Sequence, residues 1–305
     1  MIRPFAMHFP ISGVTVFPLI PLLAALGISF FTSMGGVSGA FVLLPFQVSV
    51  LGFVSPAVTP TNHLFNVVAI PSGVVRYIRE GRMVWPLTSV IIIGTLPGVI
   101  AGSLIRLYLL PDPRAFKLFM GLVLLLIGGR VLLKVLRHKP AQSRAEGGAR
   151  SVTSRVRILR FDWRRLEYAY GGETHGISCP TLLLLTAVIG VIGGAYGVGG
   201  GAIISPFLVS MFNLPVHTIA GATLCGTCLT SIIGVIFFTL ARPMLGIAGV
   251  SPDWPLGLLF GGGGLLGMYF GARAQRYVPA RAIEAMLALV VNGLALSYVV
   301  GYFRG

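Results

Sequence analysis

Charge is what this 305-residue sequence has least of. Asp, Glu, Lys and Arg together make up 10% of the chain, against about 25% in an average soluble domain. Acidic residues are the scarcest, 8 Asp and Glu beside 23 Lys and Arg. With 55% hydrophobic residues and a mean hydropathy of +0.89, this excludes a soluble enzyme and a disordered tail. Cysteine is also rare. Cys179, Cys225 and Cys228, two of them inside an apolar run, make no disulfide framework. Four-ligand metal spacing is absent. The Gly-rich runs lack a following Lys-Ser/Thr, so no nucleotide loop and no cofactor are expected. No Asp or Glu lies in the apolar part of any span, which leaves no carboxylate relay of the proton-pump kind.

What is there is long and apolar. Residues 4–75 and 174–241 carry no charged residue, and shorter charge-free windows cover 83–105, 254–272 and 285–303. A transmembrane helix needs about 20 mostly apolar residues. The chain therefore reads as an all-α integral membrane protein with about eight to ten hydrophobic segments. Lipid-exposed backbone must satisfy its own hydrogen bonds, so the spans should be helical. The formal charge of +15 does not point to nucleic acid. Eleven of the 23 basic residues fall within 130–165, the pattern of a cytoplasmic loop facing anionic headgroups. No small-x-small cleavage site follows the apolar N-terminal stretch, so Val14–Ser33 reads as a retained first helix.

Two halves repeat. Gly36-x-Ser38-Gly39-Ala40-x4-Pro45-Phe46 matches Gly197-x-Gly199-Gly200-Gly201-x4-Pro206-Phe207 at an offset of 161, which Gly73 and Gly234 keep. Gly98 and Gly102 match Gly267 and Gly271 further on. The expected organisation is a transmembrane repeat over 1–136, a basic cytoplasmic loop over 137–176 and a second repeat over 177–305. Arginine placement sets the relation between them. With the loop inside, Arg76, Arg79 and Arg82 are inside, and Arg273, Arg276 and Arg281 join them only if each half crosses an odd number of times. The repeats are then inverted, both termini lie outside, and so does a loop with Arg106, Arg114 and Lys117. Ala202–Asn213 is 12 residues, about 18 Å as a helix, short of the ~30 Å core. Gly-broken helical hairpins reaching into the bilayer are favoured over full crossings, and the longer Ala40–Val54 keeps the alternative open. In the linker, Val152, Val156, Leu159, Trp163, Leu166 and Tyr170 follow a helical spacing, Val156, Ile158, Phe161 and Trp163 a strand spacing, and a solvated loop is the plainest reading.

The Gly-rich breaks are the strongest functional signal. A helix starting after such a break offers free N–H groups to an anion, and broken helices in matching positions of two inverted halves point to a secondary transporter's substrate site. The alternative is close helix packing. The substrate-binding candidates are Gly36, Ser38, Gly39, Asn62, Asn66, Gly197, Gly199, Gly200, Thr223 and Thr227. Asn62 and Asn66 share a helix face, and Thr223 and Thr227 stand at the matching positions. Neutral donors suit an anion that must also leave. For Asn62 the competing role is helix capping. His63 and His217, each at a helix start, are candidates for proton or substrate contact. Cys225 and Cys228, three apart on one face, are candidates for a thiol contact, with apolar filling as the plainer role. Gly36-Val-Ser38-Gly39 also matches an intramembrane serine nucleophile, whose base would be His63 or His217.

The pair of motifs, Gly-x-Ser-Gly-Ala-Phe-x-Leu-Leu-Pro-Phe-Gln47 and Gly-x-Gly-Gly-Gly-Ala-x-x-x-Pro-Phe, resembles the sulfite exporter (TauE/SafE) family of bacterial permeases. Ser55-Pro-Ala-Val-Thr-Pro-Thr-Asn62-His-Leu-Phe-Asn66 is similar to one branch of it. The resemblance implies export of small sulfur oxyanions or organosulfonates across the bacterial inner membrane by a multi-pass protein without enzymatic activity. Expected partners are a small anion and the lipid bilayer, with room for a homo-oligomer. The other function classes left open are a membrane enzyme or thiol relay using Ser38 or Cys225/Cys228, and a scaffold recruited through the linker.

Overall fold

The computed structural model describes residues 6–34, 37–137, 156–212, 214–247, 249–274 and 280–304. The N-terminal stretch is not helical. Met7–Phe9 (β1) pairs antiparallel with Val14–Val16 (β2), and the first helix, α1, runs only over Leu19–Met34. Pro18, which donates no backbone N–H, stands just before that start. After the first Gly-rich break come α2 (Ala40–Ser49), α3 (Val58–Ala69) and α4 (Pro71–Arg79). Pro71 opens α4 at its first position and has no N–H to return to Val67, which separates α3 from α4. Then follow α5 (Trp85–Tyr108) and α6 (Pro113–Arg137). The second half contains α7 (Cys179–Tyr196), α8 (Gly200–Phe212), α9 (Val216–Leu245), α10 (Trp254–Ala274) and α11 (Ala280–Arg304).

The linker is a sheet over its described part, which overturns both the loop and the amphipathic-helix readings there. Arg157–Phe161 (β3), Arg165–Tyr170 (β4) and Glu173–Ser178 (β5) form an antiparallel sheet with β4 central. Alternation decides it: Leu166, Tyr168 and Tyr170 on β4 are buried while Arg165 is exposed. Residues that suit a helical spacing at every fourth place suit a strand face equally. The sheet docks on one end of the bundle. Tyr168 Oη lies 2.8 Å from Thr218 Oγ1 on α9, and Val156 N donates to Gly81 O beyond α4. Burial pushes the Tyr168 phenol up to about 12, opposed by the Thr218 hydrogen bond. In the β3–β4 turn the N–H groups of Arg165 and Arg164 hold the Asp162 carboxyl below its ordinary range.

Helix directions follow from glycine contacts. Gly94, Gly98 and Gly102 of α5 meet Thr186, Ala187 and Val191 of α7 in ascending order, so α5 and α7 run in parallel. Gly263, Gly267 and Gly271 of α10 meet Leu22, Leu26 and Phe30 of α1 in the same way, and Gly257 and Gly261 of α10 meet Leu64 and Val68 of α3. Gly221 and Gly226 of α9 meet Met83 and Ile91 at the start of α5. Thus α1, α3–α4 and α10 run toward the sheet end, and α7, α9 and α5 run away from it. Helices at matching places in the two halves point in opposite directions. Arg76, Arg79, Arg82 and Arg273 come to lie at the sheet end with the basic linker, as the charge argument requires.

The outer surface of the bundle is apolar, and a cluster of polar side chains is buried within its mostly apolar interior. Leu23, Ile93, Leu184, Leu289 and Phe303 are exposed, whereas Ser38, Gln47, Thr59, Asn62, His63 and Asn66 have no exposed surface. So large an exposed apolar surface is unusual for a soluble protein, and lipid is the solvent for it. Trp85–Tyr108, Cys179–Tyr196 and Thr218–Ala241 are long and apolar enough to cross a bilayer, and Leu19–Met34, Ala40–Ser49 and Gly200–Val209 are shorter apolar helices. At 1.5 Å per residue α1 and α2 extend about 24 and 15 Å.

Candidate functional site

The two Gly-rich breaks meet on α3. Asn62 Nδ2 donates to Ala40 O just past the first break and to Gly197 O in the second, both at 3.0 Å. One turn on, Asn66 Nδ2 donates to Val198 O at 2.9 Å and to Ser231 Oγ at 3.2 Å. Asn66 Oδ1 accepts from Ser38 Oγ at 2.6 Å, and Ser38 Oγ in turn accepts from Ala40 N at 3.3 Å. Two amides on one helix face therefore tie the breaks together. Each is a buried group with its donors filled, the only cheap state for an amide away from water.

The second break is built by backbone conformation. Gly197 caps α7 at φ +85°, and Gly199 follows at φ +77°, a region that side-chain-bearing residues avoid. The N–H groups of Gly197, Val198 and Gly199 converge on Gly193 O. A methyl at Gly197 would lie 2.6 Å from Thr59 O, and one at Gly199 would press on Thr227 Cγ2 and Ser231 Oγ. Those contacts fix the height of the break, since Thr227 and Ser231 flank the middle of the apolar window Thr218–Ala241. α8 then starts at Gly200, whose added methyl would meet Thr95 Cγ2 of α5 at 2.5 Å. Its first N–H groups have no partner within their own helix.

Most sequence-derived candidates converge here: Ser38, Asn62, Asn66, Gly197 and Gly199 directly, and Gly39 and Gly200 at the starts of α2 and α8. Gly36 lies outside the described residues. Thr223 and Thr227 face the second break from α9, but their hydroxyls donate to Ala220 O and Thr223 O of their own helix. Capping is excluded for Asn62: α3 begins at Val58 after Ala57, without a side-chain cap. His63 is likewise not at a helix start but in the second turn of α3, buried, with Nδ1 3.2 Å from Ser231 Oγ. The side chain of His217 lies outside the described residues. Cys225 and Cys228 are free, partly exposed thiols on α9. Ser38, the nucleophile of the alternative reading, donates to Asn66. Among the described residues no group of His, Cys, Asp and Glu could hold a metal ion.

Several residues escaped the sequence reading. Gln47 Nε2 donates to Asn62 Oδ1 at 3.1 Å, and its Oε1 is buried without a partner. A lone amide in the apolar run of α2 was its signal. Ser231 continues the Thr223, Thr227 spacing by four, which places it on the same face. Tyr196 Oη donates to Phe41 O at 3.0 Å, joining the end of α7 to α2. Asp253 is buried and opens α10, accepting from Leu256 N and from Ser12 N. Arg106 is no loop residue. It occupies the last turn of α5 with no exposed surface. Its Nε donates to Thr59 Oγ1 at 3.2 Å, its Nη1 to Leu110 O, and its guanidinium lies 3.8 Å over the Phe116 ring. At the same end of the bundle a cleft of about 280 Å³ is lined by Arg114, Lys117, Ser297, Tyr298 and Tyr302.

Comparison with known proteins agrees with this architecture. Residues 21–298 match the family described as Sulfite exporter TauE/SafE. A curated relative, the "Probable membrane transporter protein YdhB" of Bacillus subtilis (strain 168), is 28% identical over 107 residues, covering 35% of this chain and 40% of that protein. The chain thus aligns with less than half the length of that relative. No solved structure matches.

Proposed function

The chain belongs to the sulfite exporter TauE/SafE family of membrane transporters, and from that premise we propose that it exports small sulfur-containing anions, sulfite or an organosulfonate, across the bacterial inner membrane. The observation that carries this reading is the pair of asparagines holding both Gly-rich breaks together inside an apolar shell. In the described state their N–H groups face backbone carbonyls. An anion entering between the breaks would take the place of those carbonyl acceptors, and the two breaks would part around it. Neutral donors bind such a guest without holding it as a fixed ion pair would.

The same proposal assigns 1–136 and 177–305 as inverted repeats around the linker 137–176, with three crossings and one hairpin in each. The basic end, with its sheet, faces the cytoplasm, and both termini face the periplasm. Cysteines introduced at Gly147 and at Gly305 should react with an impermeant maleimide from opposite sides of the membrane. Labelling of both from one side would overturn this topology.

Direction follows from electrostatics. An inside-negative potential drives one negative charge outward with roughly 2.3 kcal/mol per 100 mV. Export of a monoanion needs no coupling ion. Reconstituted protein should carry sulfite with a current, and reversal of the imposed potential should reverse net flux. Electroneutral flux that follows a pH gradient instead would refute uniport and bring His63 forward as the proton carrier.

A further inference from the structure

We propose that Arg106 supplies the fixed positive charge of the anion pathway, one residue removed from the second Gly-rich break, and binds one oxygen of the passing oxyanion through Nη2. The inference rests on the transport reading above, and deepens it by adding a charged contact to a site otherwise made of neutral donors.

A buried guanidinium is costly unless its charge is paired and its donors are filled. Arg106 meets neither condition. Among the described residues no carboxylate lies within ion-pair distance of it, and Nη2 is buried without a partner. The rest of the group is held firmly. Nε is fixed by Thr59, Nη1 by Leu110 O, and the guanidinium plane by the Phe116 ring. A rigid cation with one open edge is a built anion contact rather than a packing accident.

Its place in the bundle ties it to the site. Thr59, which receives Nε, is the residue whose backbone touches Gly197. Gly102, one turn earlier on α5, lies against Val191 and Ala195 of α7. Arg106 therefore stands level with the end of α7, where the second break begins. It faces the end of the bundle opposite the sheet, the end that also carries the Arg114 and Lys117 cleft. In the other half, among the described residues, Arg273 near the end of α10 is exposed.

Full-length protein in proteoliposomes tests this with sulfite as the probe. Arg106→Gln should raise the half-saturating sulfite concentration by about 10- to 100-fold, the loss expected for one hydrogen bond to a charged group. Thr59→Val keeps the charge but frees Nε, and should raise it by less. Arg106→Lys should recover part of the affinity, which a packing role of the planar group on Phe116 would not allow. If Arg106→Gln fails to fold, the Arg106→Lys and Thr59→Val pair decides. Unchanged half-saturation in both, or in a folded Arg106→Gln, overturns the assignment while leaving transport intact. Absence of sulfite flux and of sulfite binding in the unmodified protein overturns the transport reading itself, and this inference with it.

Discussion

Asn66→Leu is expected to abolish transport and to lower stability by about 2–4 kcal/mol. Leu keeps the branched outline of the amide but is bulkier, so some overpacking adds to the loss. The main change is in polar satisfaction. Leu cannot accept from Ser38 Oγ or donate to Val198 O and Ser231 Oγ. Buried groups from both breaks lose their partner at once, and each unpaired group costs about 1–3 kcal/mol. Interhelical hydrogen bonds in membranes average nearer 0.6 kcal/mol, which is why the total stays at a few kcal/mol. Thr227→Val is the control, because that hydroxyl serves only Thr223 O on its own helix. It should unfold near the parent temperature. Thermal unfolding in detergent and flux in proteoliposomes, measured side by side, check the pair. Asn66→Leu protein with parent-like unfolding and flux would show that the breaks do not depend on this amide.

Gly197→Ala should be far more damaging than Gly39→Ala, although both glycines belong to the duplicated motif. Gly197 sits at φ +85° and a methyl there meets Thr59 O at 2.6 Å. A left-handed backbone costs a non-glycine residue roughly 1–2 kcal/mol, and the clash is with backbone that cannot swing aside. Gly39 has φ −65°, and its nearest obstacles are the Ser29 and Thr32 hydroxyls at 3.0 and 3.2 Å. Those side chains can yield by the few tenths of an ångström required. We expect Gly197→Ala to lose transport and at least about 2 kcal/mol, and Gly39→Ala to fold with partial flux. Leu at Gly39 or Gly200 removes the tolerance by filling the space itself. Equal flux from the two alanine variants would mean that the breaks are packing features only.

How much of this was legible depended on the kind of signal. Ser38, Asn62, Asn66 and the Gly197–Gly201 run stood out because polar or flexible residues inside charge-free stretches have few structural reasons to be there. The opposed direction of the halves was legible because arginine clusters mark one face of the bilayer. Arg106 was misplaced for the same reason: a cation near a span end reads as interfacial, and nothing local announces that Phe116 and Thr59 enclose it. The linker strands were one of three open readings, because Leu166 and Tyr170, four apart, fit either period. Helix starts slipped by several residues at Val14 and Asn62, where proline chemistry rather than hydrophobicity sets the boundary. Gln47 and Ser231 needed the fold, since their partners are distant in sequence or buried across a helix interface.

The glycine seams have a mechanical consequence. Along α5 and α7, and along α1 and α10, backbone approaches backbone with no side chain between, and neither pair can slide without collision. Each weld joins a helix of one half to a helix of the other. The rigid pieces of this molecule are thus hybrids, α1 with α10 and α5 with α7, and α3 with its two asparagines lies where they touch. Motion that keeps these seams intact would move one mixed body on the other, not one half of the chain on the other. The amide cluster on α3, bonded to both breaks, would then be the latch between the two bodies.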